Sequence, residues 1–347
     1  MLRTAKRLSI LQYCGLAIAS SFIVVLASCN QNPTTTNTTP PRTHTNSAVT
    51  TTHNHSGAEQ ININTAILSE LDKFEAQLGV PALSHKIQAN RPYGSSEELV
   101  TKNVVNQQQF DQIKNMVTVE DVVLTGTAKD VDYMSKLGLM RGHMLVADEL
   151  LAQQKPKEAE PHIGHPVEEI YVDVEDQLNE RQVKEFKTSL ISLQDLVKSS
   201  PKNPQVDKNF DTSMNSIDSA IAALPASQRN SPEFVLQVIN ELLDATNSEY
   251  GAAIANNKVT ALIEYQDSRG FVLYANDLYQ KISNQMAQAH PQEHQTISTN
   301  MAELSKAWSS VNAPTTLVKT PDEVTQLVTT IEQNSQKVIN SSTSAKM

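Results

Sequence analysis

The sequence predicts an all-α protein, with one or two packed bundles of about eight to ten helices, on three observations. Beyond residue 60, apolar side chains recur at steps of three and four, the period of helices with one buried face. No stretch shows the strict apolar/polar alternation of a half-buried strand. The composition is globular: 347 residues, 39% hydrophobic and 5% aromatic, with 10 Gly and two Cys, exclude collagenous, disulfide-rich and wholly disordered chains. The 28 basic and 38 acidic residues leave a formal charge of −10, which argues against nucleic acid as a partner, because phosphates need clustered Lys and Arg.

The chain begins with a basic stretch holding Arg3, Lys6 and Arg7, followed by an apolar run from Leu8 to Val25 and then Leu26-Ala27-Ser28-Cys29. This pattern resembles the lipobox of bacterial lipoproteins. The resemblance implies that residues 1–28 are a signal peptide and that Cys29 becomes the lipidated first residue of the mature chain. An uncleaved anchor is the alternative, since about 18 apolar residues can just span a bilayer. On the lipoprotein reading Cys14 leaves with the leader and Cys29 carries lipid, so thiol catalysis, disulfides and thiolate metal sites drop out. Losing Arg3, Lys6 and Arg7 takes the charge from −10 to −13. The protein is expected on a bacterial membrane, held by its lipid anchor and facing the periplasm or exterior.

Residues 29–59 read as a tether, because residues 30–58 contain ten Thr, five Asn and three Pro, with Val49 as the single branched aliphatic side chain. His53-Asn54-His55 within it is a weak metal-binding pattern, more simply read as polar linker. Residues 60–347 form the expected helical domain. Ala66, Leu68, Leu71, Phe74 and Leu78 mark a first helix, ended by Gly79-Val80-Pro81. Ser95-Ser96-Glu97-Glu98 looks like a helix start with acidic residues in the first turn. Tyr133, Leu137, Met140, Met144, Ala147 and Leu151 give a strong amphipathic repeat, and Ser231-Pro232-Glu233 opens another helix as cap followed by proline. Segments 259–282 and 302–311 read as helical as well.

No GxGxxG, P-loop, GxSxG, HExxH or EF-hand pattern is present. An enzyme is therefore not expected, and a hydrolase ranks last, since no serine sits in a recognisable elbow. The chemistry that can be read concentrates in Gly142-His143 and in His162-Ile-Gly-His165-Pro-Val-Glu168-Glu169. Two antiparallel helices joined around residues 153–158 would bring His143 level with His165. His162, His165 and Glu169, at steps of three and four, would share a face. A second constellation, Glu264-Tyr-Gln-Asp267-Ser-Arg269, follows a helix ending near Tyr250, and the same hairpin logic sets Glu249 beside Glu264. Opposed carboxylates there need a cation, a proton or Arg269 between them.

If the two constellations face one cleft, His143, His162, His165, Glu169, Glu249 and Glu264 are the candidate metal ligands. Glu168, Asp267 and Arg269 would then be a structural or ligand network. Imidazole with carboxylate suits iron, copper, zinc or nickel, and inward-facing Met140 and Met144 would favour copper. The competing reading makes His143 a core histidine bonded to Glu168 or Glu169, with Pro166 bending the helix.

The run Glu160-Pro161-His162-Ile163-Gly164-His165-Pro166-Val167-Glu168-Glu169-Ile170-Tyr171-Val172-Asp173 with Arg181, and the stretch from Glu264 to Phe271, resemble segments of imelysin-like periplasmic proteins. The resemblance spans about a third of the chain and implies a helical envelope protein connected with iron uptake. The family's Gly-x-His-x-x-Glu signature is not reproduced, since Val146 stands three residues after His143. Two functions follow as expectations: a lipid-anchored protein that handles a transition metal, or a non-catalytic scaffold that binds another envelope protein. Separation of the two constellations by more than about 15 Å would favour the scaffold, because ligands must approach within about 2 Å of one ion.

Overall fold

The computed structural model describes residues 60–66, 68–120 and 124–344. The predicted leader, Cys29 and the tether lie outside these residues.

The first described segment builds a small core of its own. Strand β1 (Ile61–Asn62) is followed by α1 (Leu68–Leu78), α2 (Leu83–Ala89), α3 (Glu98–Thr101) and α4 (Gln107–Ile113), and β2 (Val117–Thr118) returns parallel to β1. Leu71 and Phe74 on α1 pack with Leu83, Ile87, Leu99 and Phe110. Gly79 ends α1 with φ +63°, a conformation that costs glycine nothing. Asn106 and Gln109 form a reciprocal capping box that starts α4. The Ser95–Glu98 signal yields only α3, a single turn.

The remaining helices share a larger core. Helix α5 (Gly126–Ala152) buries Tyr133, Leu137, Met140, Met144, Ala147 and Leu150 along one side. Helix α6 (Pro156–His165) opens with proline at its first position and runs into a π-helical turn at Pro166–Ile170, then α7 (Tyr171–Glu180). Pro166 lacks an amide hydrogen and its ring crowds the carbonyl four residues back, so the ladder widens until Tyr171 N–H donates to the Pro166 carbonyl. Next come α8 (Lys187–Ser199), α9 (Gln205–Ala222) and the one-turn α10 (Ala226–Arg229).

Helices α11 (Pro232–Ala253), α12 (Leu262–Ala289), α13 (Pro291–Leu304) and α14 (Pro321–Ser344) form a four-helix ring. In it α11 touches α12 and α14, and α13 touches the same two. Helix α5 packs across α12 and α11, α6 packs on α5, and α1 docks on α11. Among the described residues no helix is long and apolar enough to cross a membrane.

The all-α expectation agrees with the structure, with five corrections. The described residues hold more helices than eight to ten, because pieces as short as α3 and α10 carry too little periodicity to be read. Two minimal sheets exist, each of two-residue strands, too short to alternate. The helix expected from Val259 begins at Leu262, since β3 (Ile254–Ala255) and β4 (Lys258–Val259) pair around Asn256 and Asn257 at φ +52° and +58°. The segment 302–311 is not one helix: α13 stops at Leu304, a 3₁₀ turn covers Ser305–Ala307, and Trp308 and Val311 plug the core beyond it. Ser231 does precede Pro232 in extended conformation, but its hydroxyl bonds the Glu233 carboxylate instead of capping a backbone amide.

Candidate metal centre

Two glycines set the position of the centre. A Cβ on Gly270 of α12 would lie 2.3 Å from the Gly142 carbonyl oxygen of α5, and one on Gly142 would lie 3.0 Å from the Gly270 carbonyl carbon. The helices therefore cross backbone against backbone. That contact holds His143, beside Gly142, against Asp267, three residues before Gly270. Trp308 Nε1 donates to Ser268 Oγ at 2.9 Å, and Ser268 Oγ donates to the Tyr265 carbonyl at 2.8 Å, which steadies this stretch of α12.

Asp267 is ringed by three imidazoles. Its Oδ1 lies 2.7 Å from His143 Nδ1 and 2.6 Å from His162 Nδ1, and its Oδ2 lies 3.2 Å from His165 Nδ1. His143 and His165 stand edge to face with centroids 5.0 Å apart, and Phe271 closes the other side of His143 at 5.0 Å. His143, His162 and Asp267 are buried, while the His165 side chain retains 18% exposure. One ligand atom from each of the four residues lies within 4.8 Å of the others. With bonds near 2.1 Å, tetrahedral ligand atoms stand about 3.4 Å apart and opposed octahedral ones about 4.2 Å, so side-chain shifts below about an ångström would close the group on one ion.

The hydrogen-bond directions leave one contact at this point to be joined. Gln266 Nε2 donates to the Val311 carbonyl at 3.2 Å, which turns its Oε1 toward His162 Nε2 at 2.9 Å. His162 therefore carries its hydrogen on Nε2, and in the neutral ring Nδ1 presents a lone pair to Asp267 Oδ1. Two acceptors at 2.6 Å repel unless a proton or a metal ion joins them. An imidazole whose remote N–H is held by an amide oxygen is the arrangement that orients metal-ligating histidines. His165 Nδ1 is buried and faces Asp267 Oδ2 at 3.2 Å without a directed hydrogen bond.

Burial drives the His143 pKa below 6.5 against the pull of Asp267, favouring the neutral form that a ligand requires. For His165 burial acts the same way but is overcome by Asp267, Glu169 and Glu168, which push it up to about 9. Burial opposes ionisation of Asp267, yet His143, His162 and His165 hold it well below 3.8. Glu169 is pushed up to about 7 by burial, with Asp267, Glu168 and Glu264 adding to the shift and His165 opposing it. Burial also raises Glu249, with Asp72, Asp267, Glu264 and Glu169 adding to it, and burial and Asp267 raise Glu264.

The hairpin expectation places His143, His162 and His165 together, as the sequence implied. The two constellations also meet, because Asp267 of the second sits inside the histidines of the first. Asp267, expected as part of a network, is thus the central carboxylate. His143 bonds neither Glu168 nor Glu169: its partner is Asp267, and Glu168 is exposed and accepts a bond from Gln194 at 3.2 Å. Glu169 lies 3.8 Å from His165 Nε2 at the edge of the group. Glu249 and Glu264 stand outside the four-residue set. Arg269 does not separate them: it pairs with Glu149 at 2.9 Å and donates to the Trp308 carbonyl at 3.1 Å. Met140 and Met144 are fully buried in the main core, as packing at their spacing requires. Gln266 was missed; its signal was its place beside Asp267 in a motif otherwise read for charges.

Fold and site together define an all-α protein with a buried histidine–carboxylate cluster at the side of a four-helix bundle. Residues 225–342, about a third of the chain, match the family described as the iron permease-associated 4-helix bundle domain. The match takes in α10 to α13 and most of α14. It includes Glu249, Glu264, Gln266 and Asp267 but none of the three histidines. Of the stretches compared above with imelysin-like proteins, 160–181 lies outside this match and 264–271 inside it, and no comparison supports that resemblance. No curated protein and no solved structure matches the chain.

Proposed function

We propose that this protein is an extracytoplasmic metal-binding protein, tethered to a bacterial membrane through Cys29, that holds iron at His143, His162, His165 and Asp267 and passes it to a membrane permease. The observation that carries the reading is His162: its Nε2 hydrogen is committed to Gln266, and its Nδ1 shares a 2.6 Å gap with a carboxylate oxygen. The match of residues 225–342 to an iron permease-associated domain directs the choice among iron, zinc and copper toward iron. Three imidazoles and one carboxylate suit that ion and leave coordination positions open for exchange.

The experiment is metal analysis of protein loaded with ferrous iron under anaerobic conditions. A stoichiometric equivalent is expected, with loss of it in a His143→Ala, His165→Ala double variant. At a free metal concentration 100 times Kd, binding should add about 2.7 kcal/mol of stability. A metal-free wild type whose melting temperature ignores added iron and zinc contradicts the reading. It would support the alternative of a scaffold for an envelope partner, in which protons on the imidazoles satisfy Asp267, a state consistent with His165 raised to about 9.

A further inference from the structure

Residues 308–312, in the connection between α13 and α14, are gripped from two sides. On the α12 side, Arg269 Nη1 donates to the Trp308 carbonyl at 3.1 Å and Gln266 Nε2 donates to the Val311 carbonyl at 3.2 Å. On the α5 side, Glu149 Oε1 accepts the Val311 backbone N–H at 3.2 Å, and Gln153 Oε1 accepts from the Asn312 side-chain amide at 3.0 Å. Lys155, in the turn between α5 and α6, donates to Asn312 Oδ1 at 2.6 Å.

Val311 is where this grip reaches the histidine centre. Its side chain is fully buried, its N–H is taken by Glu149 and its carbonyl by Gln266. The Gln266 amide has a donor end and an acceptor end, and half a turn about its last torsion exchanges them. The Val311 carbonyl accepts only, so it draws the donor end and turns Oε1 to His162 Nε2 at 2.9 Å. The other acceptor near that donor end, Glu158 Oε2, stands 3.5 Å away, at the limit of a hydrogen bond. Glu149 also takes Arg269 Nε at 2.9 Å through its second oxygen, so one carboxylate joins α5, α12 and the connection.

We propose that Glu149 is a positioning residue of the histidine centre, acting on His162 through Val311 and Gln266. It holds Val311 where the carbonyl selects the Gln266 rotamer, and that rotamer keeps hydrogen on His162 Nε2 and turns Nδ1 to Asp267. Its own bonds go to Val311 and Arg269 and to none of the four residues of the centre, so its influence travels along this chain. The effect on metal affinity rests on the proposed metal function; the effect on the His162 proton does not.

Hydrogen exchange at the His162 ring, read by NMR, tests this without metal. In the metal-free, isotope-labelled full chain, the Nε2–H donated to Gln266 should give a slowly exchanging resonance. Glu149→Met keeps the length of the side chain and removes both acceptor oxygens. It should speed exchange of that proton about tenfold or more, with helical content retained. Affinity for Zn²⁺, a diamagnetic probe of the same ligands, should fall about tenfold in chelator competition. Lys319→Ala removes an ion pair to Glu303 from the same connection, at 2.6 Å, and should change neither. Glu149→Met with Arg269→Met, which strands no charge, gives the same acceleration should the single variant fail to fold. A His162 proton that exchanges at the wild-type rate in these variants overturns the positioning role, whatever zinc does. Acceleration shared equally by the buried backbone amides of α5 also overturns it, since a mere clamp between α5 and α12 predicts that. A wild type that binds no zinc contradicts the metal function and leaves the His162 proton to decide the positioning role.

Discussion

The two walls of the centre are made in different ways. The α11–α12 wall is a pair of long helices joined by a tight hairpin, inside the segment that matches the iron permease-associated domain, and it supplies carboxylates and an amide. The α5–α6 wall lies outside that match, is interrupted by Pro161 and Pro166 and a π-helical turn, and supplies all three imidazoles. At the centre the bundle therefore offers acids without nitrogen ligands, since its His294 lies on α13 beside Tyr279. On the proposed function, nitrogen ligation of a metal depends on the α5–α6 wall docking on the bundle.

The largest effect should come from the one group both walls share. Asp267→Ala removes the partner of three imidazoles at once, so it should abolish metal binding and, by stranding buried polar groups, cost about 3–5 kcal/mol in denaturant unfolding. Unchanged stability would show that the walls are held together elsewhere. Next is the crossing itself. Gly270→Ala puts a methyl group against the Gly142 backbone, where no side chain can rotate away. Calorimetry should show a loss of about 1–3 kcal/mol together with weaker metal binding. Gly251→Ala, where nothing lies within 4 Å, is the control and should be neutral or stabilising by up to about 1 kcal/mol.

A subtler break leaves both walls standing. Gln266→Leu frees the His162 ring to choose its tautomer, and metal affinity should fall about 10- to 100-fold in titration calorimetry with the helical content retained. Smallest is the pH response of the metal-free protein. Asp72 and Glu169 both sit at about 7 in the folded chain, against ordinary values of 3.8 and 4.5, chiefly through burial. The fold thus favours their protonated forms: their contribution is full below about pH 4 and is lost as pH rises through 7. The melting temperature of metal-free protein should decline across that window, and a bound cation should flatten the decline. A rising melting temperature there would mean that the two acids are ionised and paired.

Much of this comparison is legible in the sequence, and what is missing has a physical reason. Hairpin symmetry puts His143 level with His165 and Glu249 level with Glu264, because a short connection between helices leaves little choice of register. The partner of the histidines is not legible, since it depends on which face of α5 meets α12. That choice is made by Gly142 and Gly270, two residues carrying no periodic signal. The Asn256-Asn257 turn was there to be read, and reading it would have shortened the helix expected from Val259.

The central claim is that nitrogen from three histidines and oxygen from Asp267 bind one iron ion. X-ray absorption at the iron edge of the loaded, full-length protein tests it most directly. The account predicts about three imidazole nitrogens near 2.1 Å, with their multiple-scattering signature, reduced to one in a His143→Ala, His162→Ala variant. A shell of oxygen alone in the wild type, unchanged by that double substitution, would contradict it.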